Sequence, residues 1–561
     1  MFNVRHNFIA RATRLFHLTS YALSKRGGKQ FAKATTQVEI TQYAILKNLL
    51  SSIEGSQSAS IFGLEQGNDL YEFQQKVPVT DYEDWQALIE KQQGGEDNVL
   101  SQHTCERYQP TSGSTSKIKW IPYNRAFLNE LDRAISPWMT DLYQQYPKIN
   151  QGKHYWSLSW VPSDLRNKLT ASINDDLQLL PWWKSIFMAQ IMAVPEAVSL
   201  AKTSEESSFA TACYLVACRD LSFISVWSPT FALSLLELIK QNRYLIQHVL
   251  EKGAWLNSQS GLAYLKAPKS RGASQVLKQW NGNIDAEFTQ NLWPELVLIS
   301  AWDTSSSEIW AKKLAGLFPH SEFQGKGLWA TEGVVSFPYQ SNYPLAITSH
   351  FYEFEDLDNK QIYTSWQLRT GQNVRPIIST ANGLLRYGMK DQLKVTGYIN
   401  ECPCFEFIGR LNGIDMVGEK ISPEIAVNII NDMSSQGDIS AISLLGMPSN
   451  NAKNLPSYAL LCLDESSLSQ TQNSVRHAEL SYKLEAALCE CFHYKLAREL
   501  GQLDQAQVLV MANAMEVYTS HKVARGMVAG NIKIEPLVLW QNEILPEGVE
   551  SDHSETLLEW F

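Results

Sequence analysis

Short apolar segments alternate along this chain with longer segments of helical periodicity, and this order restricts the folds that the chain can adopt. The clearest apolar segment spans residues 296–300 and lies between Pro294 and Asp303, which is typical of a parallel strand buried on both faces. Residues 155–161 and 221–226 have similar strand patterns. Strands that alternate with helices predict an α/β core built on parallel strands.

Several longer segments carry apolar residues at helical spacing. The pattern predicts helices over residues 38–54, 124–146 and 231–250, and a further helix that starts near Glu83 after a turn at residues 78–82. In the helix over 124–146 the inner face would consist of Phe127, Leu131, Ile135, Trp138 and Leu142.

The length of the chain predicts more than one domain. Its 561 residues exceed the size, about 250–300 residues, at which a single hydrophobic core stops growing. From residue 345 the strand patterns shorten, which indicates a more antiparallel β subdomain, and beyond Arg410 the pattern is that of a compact α+β unit. We therefore expect an α/β protein with a large N-terminal domain, residues 1–409, and a small mobile C-terminal domain, residues 410–561. The β segments expected after residue 345 are 346–354, 361–368, 392–398, 405–410, 439–445 and 458–464.

Charge and hydropathy exclude some classes of partner. Lys and Arg number 48 and Asp and Glu 58, and this net charge of −10 argues against nucleic acid as a main partner, because a phosphate backbone needs a basic surface. No segment has the roughly eighteen uninterrupted apolar residues of a membrane helix. The basic first thirty residues resemble a transit peptide in composition, but we favour an amphipathic first helix. Its apolar side would contain Phe8, Ile9, Ala12 and Leu15.

The eight cysteines fit a reduced, cytoplasmic protein. Cys402 and Cys404 are two residues apart, as are Cys489 and Cys491, so neither pair has the Cys-x-x-Cys spacing. Cys489, Cys491 and His493 could be drawn as a metal site, but positions i and i+2 of a helix do not share a face. We therefore expect buried thiols.

The most informative polar segment spans residues 111–119. It combines hydroxyl groups, a glycine and two lysines, in the order Thr111, Ser112, Gly113, Ser114, Thr115, Ser116, Lys117, Ile118 and Lys119. Glycine lets successive backbone N–H groups turn toward one anion, and lysine adds a positive charge, so the segment suits a polyphosphate. The spacing differs from that of a P-loop, and a polar surface loop is the alternative interpretation.

Several segments of the chain, taken together with residues 111–119 and in their order along the sequence, resemble the motifs of a known family. They are Thr111-Ser112-Gly113-Ser114-Thr115 with Lys119 and Ile121-Pro122, Tyr155-Trp156-Ser157, Val226-Trp227-Ser228-Pro229, Gly325-Lys326-Gly327-Leu328-Trp329-Ala330-Thr331-Glu332-Gly333, Arg386-Tyr387 with Asp391 and Val395-Thr396-Gly397-Tyr398, Phe407-Ile408-Gly409-Arg410, Gly418-Glu419-Lys420 and Gly530-Asn531-Ile532-Lys533. In this order and spacing the chain resembles the auxin-responsive promoter family of acyl-acid amido synthetases, within the adenylate-forming ligase superfamily. The resemblance covers nearly the whole chain from about Gln42.

Two positions depart from the family's pattern. Ser116 stands where the family usually has glycine, so the tip of the phosphate loop would be stiffer. Gly388-Met389-Lys390 replaces the Arg-Leu-Gly that usually precedes the aspartate, which puts the local geometry of Asp391 in question.

The resemblance implies an ATP-dependent ligase that uses Mg²⁺, adenylates a carboxylic acid and joins it to an amino acid or another amine. It implies that the phosphates of ATP bind to Thr111, Ser112, Gly113, Ser114, Thr115 and Lys119. The adenine would lie along Gly327, Trp329 and Ala330. Partners would be the small acid and the amine, with neither nucleic acid nor membrane, and the protein would be a monomer or a weak oligomer.

The resemblance also assigns the chemical step. Thr331 would donate a hydrogen bond to the α-phosphate, Glu332 would bind Mg²⁺, and Asp391 would accept hydrogen bonds from the ribose hydroxyls. Arg410 could hold the ribose or the phosphates. Lys533 would reach the α-phosphate and the acyl oxygen during adenylation.

Alternatives remain open at this point. Lys522 is a rival for the role of Lys533, Thr331 and Glu332 could begin a helix, and Asp391 could be a turn residue before a strand. An acyl-CoA synthetase would share the first step, and a non-catalytic nucleotide-binding protein would lack turnover. An acyl pocket could be lined by tryptophans that are otherwise plain core, namely Trp138, Trp156, Trp160, Trp182, Trp183 and Trp227.

Overall fold

The computed structural model describes residues 2–111, 119–157, 191–411, 413–414, 416–417, 419, 421–435, 439–448, 455–464, 470–499, 502–525, 527 and 532–540. Contacts within the chain define two compact units, Met1–Gly409 together with Gly526–Lys533, and Arg410–Arg525 together with Ile534–Phe561. The domains assigned from sequence stay a prediction. Within the described ranges, no helix is long and apolar enough to cross a membrane.

The strands up to Arg410, within the described residues, are β1 (Cys105–Thr111), β2 (Lys119–Asn124), β3 (Lys153–Trp156), β4 (Leu221–Ser225), β5 (Leu298–Ser300), β6 (Glu322–Gln324), β7 (Trp329–Ala330), β8 (Gly333–Val334), β9 (Phe351–Asp356), β10 (Ile362–Thr364), β11 (Asn373–Ser379), β12 (Tyr387–Gly388), β13 (Asp391–Ile399) and β14 (Cys402–Arg410). The helices over the same region are α1 (Phe2–Ala34), α2 (Val38–Ile53), α3 (Gln57–Phe62), α4 (Leu70–Lys76), α5 (Tyr82–Gln93), α6 (Arg125–Gln145), α7 (Ser204–Ala217), α8 (Pro229–Gln241), α9 (Arg243–Lys252), α10 (Arg271–Gln279), α11 (Ala286–Leu292) and α12 (Glu308–Leu317). Short 3₁₀ turns lie at Pro147–Gln151, Glu196–Leu200, Asn257–Leu262 and Ser305–Ser307.

A parallel sheet of four strands, in the order β3-β4-β5-β6, forms the α/β core of the first unit. Every residue of β4 and β5 is buried, which confirms the prediction of parallel strands covered on both faces. Helices α7 to α12 lie between these strands in the sequence and contribute their apolar residues to the same core. The fold is therefore mixed α/β, as the sequence predicts.

A second sheet, in the order β10-β9-β11-β13-β14 with β12 against β11, is antiparallel in the pairs β9–β10, β9–β11 and β11–β13. Helix α2 is fixed to its first strand because the Gln42 amide donates to the carbonyls of Ile347 and His350 and accepts from the N–H of Tyr352. The antiparallel character confirms the prediction for the region after residue 345. The sequence analysis missed β11.

The second unit contains the strands β15 (Ile439–Met447), β16 (Ser457–Asp464), β17 (Gln507–Met511) and β18 (Leu537–Leu539) and the helices α13 (Pro423–Ser434), α14 (Gln470–Cys489), α15 (Phe492–Glu499) and α16 (Ala514–Ala524), in the described residues. The strands form one mixed sheet in the order β17-β16-β15-β18. This is the α+β pattern expected beyond Arg410.

Two predictions about helices are wrong. A single helix over residues 231–250 is replaced by α8 and α9, because Asn242 leaves the helical region and its side-chain amide donates to the Leu238 carbonyl at the end of α8. In α1, Leu15 was expected on the apolar side, but 64% of its surface is exposed. The side chains of residues 2–12 lie outside the description.

Candidate functional site

Four residues form a row at the carboxyl ends of the parallel strands. Trp156, Ser225, Ser300 and Gln324 are register partners across β3, β4, β5 and β6. Register partners on adjacent strands point to the same face of a sheet, and this row, which we call the edge row, therefore shares one face. Open α/β sheets bind their ligands at this edge.

Helix α6 covers the edge row with an indole. Trp138 is buried, and its Nε1 donates to the side-chain oxygen of Gln324 at 3.1 Å. Its ring packs edge-on against Trp156 with centroids 5.5 Å apart, and against Trp329 at 5.6 Å. The helical periodicity that predicts α6 thus also explains why Trp138 faces the sheet.

Further indoles extend this contact into a cluster of five, Trp138, Trp156, Trp227, Trp302 and Trp329, which we call the indole cluster. Trp227 lies 5.6 Å from Trp302 and 6.0 Å from Trp329 between centroids. Three of the tryptophans proposed from sequence, Trp138, Trp156 and Trp227, belong to it. Trp160, Trp182 and Trp183 lie outside the described residues.

Two lysines contact the indole cluster. The Nζ of Lys326 lies 4.7 Å from the centroid of Trp227 and 5.3 Å from that of Trp138, and it donates to the Ser225 hydroxyl at 2.7 Å. The Nζ of Lys533 lies 3.9 Å from the centroid of Trp302. Indole faces attract cations, so the indole cluster stabilises two ammonium groups at one edge of the sheet.

Several buried polar atoms at this edge have no hydrogen-bond partner among the described residues. They are Trp156 Nε1, Ser157 Oγ, Ser300 Oγ and Trp302 Nε1. Buried polar groups are nearly always satisfied in native proteins, and exceptions call for an explanation such as a bound molecule. All four atoms belong to residues that end or follow β3 and β5, so these orphaned groups lie at the edge of the sheet where the fold predicts a ligand.

A short hairpin carries the pair Thr331 and Glu332. Strands β7 and β8 are antiparallel, and these two residues form the turn between them, which rules out the alternative that they begin a helix. The Tyr123 hydroxyl donates to the Thr331 carbonyl at 2.9 Å and so fixes the turn against β2. Upstream, Gly327 has φ of +72°, and a Cβ there would lie 2.7 Å from the Ser336 carbonyl oxygen.

The carboxylates of Asp391 and Glu332 both influence the pKa of Tyr387. Asp391 is the first residue of β13 and is 6% exposed. Burial is the main cause that raises the pKa of Tyr387, and the negative charges of Glu332, Asp81, Glu83 and Asp391 raise that pKa further. The two carboxylates proposed for magnesium and ribose therefore lie in one neighbourhood.

The segment that departs from the family's pattern is held by an arginine from β11. The guanidinium of Arg375 donates to the carbonyls of Met389 at 2.7 Å and Gly388 at 3.1 Å. A Cβ at Gly388 would lie 2.3 Å from the Arg375 guanidinium, so a larger residue there would displace that side chain. Asp391 is thus positioned by a fixed backbone, and it also fits the alternative of an aspartate at the start of a strand.

Lys119 has a local partner. It begins β2, is a register partner of Thr111, and its Nζ lies 3.1 Å from the Glu83 carboxylate and 5.0 Å from the Tyr82 ring centroid. The predicted phosphate-binding residues Ser112, Gly113, Ser114 and Thr115 lie outside the described residues, as does the side chain of Thr111. The phosphate role of this segment stays a prediction.

Arg410 and Lys522 both contact one acid in the second unit. Arg410 Nη1 lies 3.6 Å from a Glu535 carboxylate oxygen, and Lys522 Nζ lies 3.2 Å from the other. Lys522 is buried, and its ammonium also lies 5.5 Å from the Tyr518 ring centroid. Lys522 therefore sits in an ion pair, whereas Lys533, which groups with the first unit, contacts Trp302.

Sequence reasoning missed several participants of the candidate site. It did not single out Lys326 although it quoted Gly325-Lys326-Gly327, and it gave no role to Trp302 or to Ser300. The glycines around Lys326 were a usable signal, because glycines flank backbone that approaches other groups closely. No local pattern marks Ser300, which becomes notable only through its register with Ser225.

The fold is that of an α/β protein with a candidate ligand site at the carboxyl edge of a parallel sheet. Residues 27–323 match the GH3 family N-terminal domain, and residues 343–410 match the GH3 family central domain. The chain belongs to the GH3 family.

Its similarity to individual members is moderate. Indole-3-acetic acid-amido synthetase GH3.15 of Arabidopsis thaliana is 23% identical over 426 residues, which are 67% of this chain and 68% of that protein. Indole-3-acetic acid-amido synthetase GH3.17 of Arabidopsis thaliana is 23% identical over 474 residues, 72% of this chain and 74% of that protein. The solved AtGH3.15 acyl acid amido synthetase in complex with 2,4-DB has the same fold, with a TM-score of 0.76 and 16% identity over 92% of this chain and 94% of the other.

The resemblance noted from the motifs is thereby confirmed. The protein is an enzyme of the acyl-acid amido synthetase class, an ATP-dependent ligase that adenylates a carboxylic acid and forms an amide. The alternative of a non-catalytic binding protein is not supported.

Proposed function

We propose that this enzyme uses ATP and Mg²⁺ to adenylate a small carboxylic acid with a flat, apolar body, and then transfers the acyl group to an amino acid. The observation that carries the proposal is the joint position of the indole cluster and its two lysines at the carboxyl edge of the parallel sheet. Indoles favour an apolar acyl group, and ammonium groups favour the anionic reactants.

The nucleotide would be held by the residues named from the family motifs. Residues 111–115 and Lys119 would bind the phosphates, and Asp391 would accept hydrogen bonds from the ribose hydroxyls. The backbone of Gly327, Trp329 and Ala330 would line the adenine. Support comes from the fixed backbone that precedes Asp391 and from the positive φ of Gly327, which permits close approach to a ligand.

Glu332 fits a magnesium ligand by its chemistry. Mg²⁺ prefers oxygen donors and commonly binds one or two protein carboxylates together with substrate phosphates. Glu332 offers a partly exposed carboxylate on a hairpin turn, and Asp391 adds negative charge to the same neighbourhood. When bound, the ion would neutralise charge on the phosphates.

The first step joins two anions. A carboxylate oxygen of the acid attacks the α-phosphorus of ATP, the bond to the β-phosphate oxygen breaks, and pyrophosphate leaves with the bonding electrons. Thr331 would donate a hydrogen bond to the α-phosphate, and the ammonium of Lys533 would stabilise the charge that builds up there. The contact of Lys533 with Trp302 favours it over Lys522, which is ion-paired with Glu535.

In the second step the amine nitrogen attacks the acyl carbon, AMP leaves with the electrons of the acyl–oxygen bond, and the nitrogen loses a proton. Arg410 is proposed to contact the ribose or the phosphates. The enzyme is further proposed to be cytoplasmic and a monomer or weak oligomer, which size-exclusion chromatography would test.

The proposal is tested by incubating the enzyme with ATP, Mg²⁺, a panel of carboxylic acids and mixed amino acids. We expect pyrophosphate release that depends on acid, and amide products identified by mass spectrometry. Asp391→Asn should raise the KM for ATP about tenfold by removing a charged hydrogen-bond acceptor. Lys312→Ala is the matched control, because Lys312 is an exposed residue on α12 that pairs only locally with Glu308.

Two results would contradict the proposal. A thioester formed with coenzyme A in place of any amide would assign the enzyme to acyl-CoA synthetases. ATP bound without acid-dependent pyrophosphate release across the whole panel would exclude the adenylation step in this chain.

A further inference from the structure

The edge row contains a set of hydrogen-bond donors beside a buried cation. Lys326 is 3% exposed, and its ammonium is held at the edge row by the Ser225 hydroxyl. Ser300 is the register partner of Ser225 on β5, and Trp156 is its partner on β3. Adjacent strands lie about 5 Å apart, so Ser300 and Trp156 lie on the two sides of Ser225, whose hydroxyl accepts from the ammonium.

Those two flanking groups are among the orphaned atoms. Ser300 Oγ and Trp156 Nε1 are buried and have no hydrogen-bond partner in the described part of the chain. Ser300 is 0% exposed, so water at the protein surface does not satisfy it. An indole N–H is only a donor, a hydroxyl donates readily, and an ammonium carries three donors, so the three groups together suit an anion.

The walls of this position restrict the shape of the anion's body. The Lys326 ammonium lies over the ring faces of both Trp138 and Trp227, and Trp156 packs against Trp138. Indole faces favour contact with an apolar, planar group over contact with a second charged group of the ligand. The ligand chemistry that fits is a monocarboxylate on a flat apolar body.

We propose that Lys326, Ser300 and Trp156 form the subsite that binds the carboxylate of the acid substrate. This inference rests on the proposed function and specifies where the acid's charged end lies. Adenylation brings a carboxylate toward a triphosphate, and the two repel each other. Lys326 lowers that repulsion, and Trp227 and Trp302, in contact with each other, link Lys326 to the second ammonium, that of Lys533.

Lys326→Met tests the charge, because methionine keeps most of the length and apolar volume of lysine. The probes are indole-3-acetate, phenylacetate and hexanoate, each compared with its uncharged primary amide by titration calorimetry. We expect wild-type enzyme to bind the carboxylates at least about tenfold more tightly than the amides, and Lys326→Met to lose that preference. Lys326→Arg should retain part of it, and the KM for ATP should change less than about twofold in either variant.

Ser300→Ala separates binding from packing. If Ser300 were only structural, removing an unsatisfied buried hydroxyl would leave folding stability unchanged or increased and would not affect the substrate. If Ser300 belongs to the proposed subsite, the folding stability of Ser300→Ala is again unchanged or increased, but its KM for the acid rises about five- to tenfold with kcat nearly constant. Ser234→Ala is the control, since that exposed serine donates to the carbonyl of Phe231 within α8 and lies away from the edge row.

Three outcomes would overturn the inference: equal loss of acid and amide binding in Lys326→Met, an unchanged acid KM in both variants, or failure of wild-type enzyme to bind any probe carboxylate at millimolar concentration. If the thermal unfolding midpoint shows that Lys326→Met has a defect in folding, the KM of Ser300→Ala for the acid decides instead. Acid-dependent pyrophosphate release with an unchanged acid KM in Lys326→Met would sink this subsite and leave the proposed function intact. If Lys326→Met abolishes the preference for carboxylates but the wild type releases no pyrophosphate, the subsite is supported and the proposed function is contradicted.

Discussion

The two units bury positive charge in different ways. In the second unit the ammonium of Lys522 lies against the carboxylate of Glu535, whereas in the first unit Lys326 and Lys533 lie against the faces of indoles. A carboxylate cancels the charge of the lysine that it contacts. An indole face stabilises a cation through its π-electrons and carries no formal charge of its own.

The first unit also contains an ion pair of the structural kind, away from the edge row. The guanidinium of Arg386 contacts both oxygens of Glu353, at 2.8 and 3.0 Å, and donates to the carbonyls of Gln74 and Val77. Both side chains are almost completely buried. The contrast therefore concerns the role of the charge rather than the unit in which it lies.

The largest effect is expected at the buried ion pair between Arg386 and Glu353, which stabilises the fold. Arg386→Ala should lower the free energy of unfolding by about 3–5 kcal/mol, because it leaves the Glu353 carboxylate buried without its partner. Urea unfolding followed by circular dichroism measures the loss. Exposed Arg369→Ala is the control, and a loss below about 1 kcal/mol would mean that the buried pair contributes little.

Lys533→Ala should act on the reaction and not on the fold. We expect acid-dependent pyrophosphate release to fall about 100-fold or more, because the charge that we propose to act at the reacting phosphate is lost, with the midpoint of unfolding nearly unchanged. Steady-state kinetics and differential scanning fluorimetry on the same sample measure both. A large drop in the unfolding midpoint with unchanged specific activity would reverse the assignment.

Buried histidines illustrate a third solution, in which the charge is absent. Burial lowers the pKa of His17 from 6.5 to about 4, and its nitrogens contact the Tyr143 hydroxyl and the Gly152 carbonyl. Because the folded state favours neutral His17, the contribution of this residue to the free energy of unfolding is complete above pH 6.5. It is lost as the pH falls through 4, and it amounts to about 3 kcal/mol.

Urea unfolding between pH 7 and pH 4 measures this dependence. His17→Gln should reduce the slope of stability against pH in that window, whereas His103→Gln, which replaces an exposed imidazole, should not. An identical slope in wild type and His17→Gln would show that other groups, such as buried His154, account for the acid sensitivity.

The smallest effect is expected at Lys522. Lys522→Ala should lower the free energy of unfolding by about 1–2 kcal/mol, because Arg410 also contacts Glu535 and remains as a cationic partner of that carboxylate. Acid-dependent activity of the folded enzyme should change less than about threefold. A loss of activity as large as that of Lys533→Ala would move the catalytic role to Lys522.

Sequence patterns that depend on neighbouring residues predicted the fold well. The periodicity of α2 and α6 and the apolar run of β5 are local consequences of burial, and the structure confirms them. The break at Asn242 was missed because the apolar periodicity continues across it. Strand β11 was missed because its place in the sheet depends on pairing with β9, which lies about twenty residues earlier.

By itself, the sequence determined the α/β class and the resemblance that the family matches confirm, because both follow from residue type, order and spacing. The residues that the resemblance implies for the nucleotide stay a prediction. Only the tertiary structure brought Ser225, Ser300 and Trp156 into one row beneath Lys326, and placed Lys533 on Trp302. The reason is physical: strand register and the packing of indoles join residues that are distant along the chain, and no local pattern encodes which of them meet.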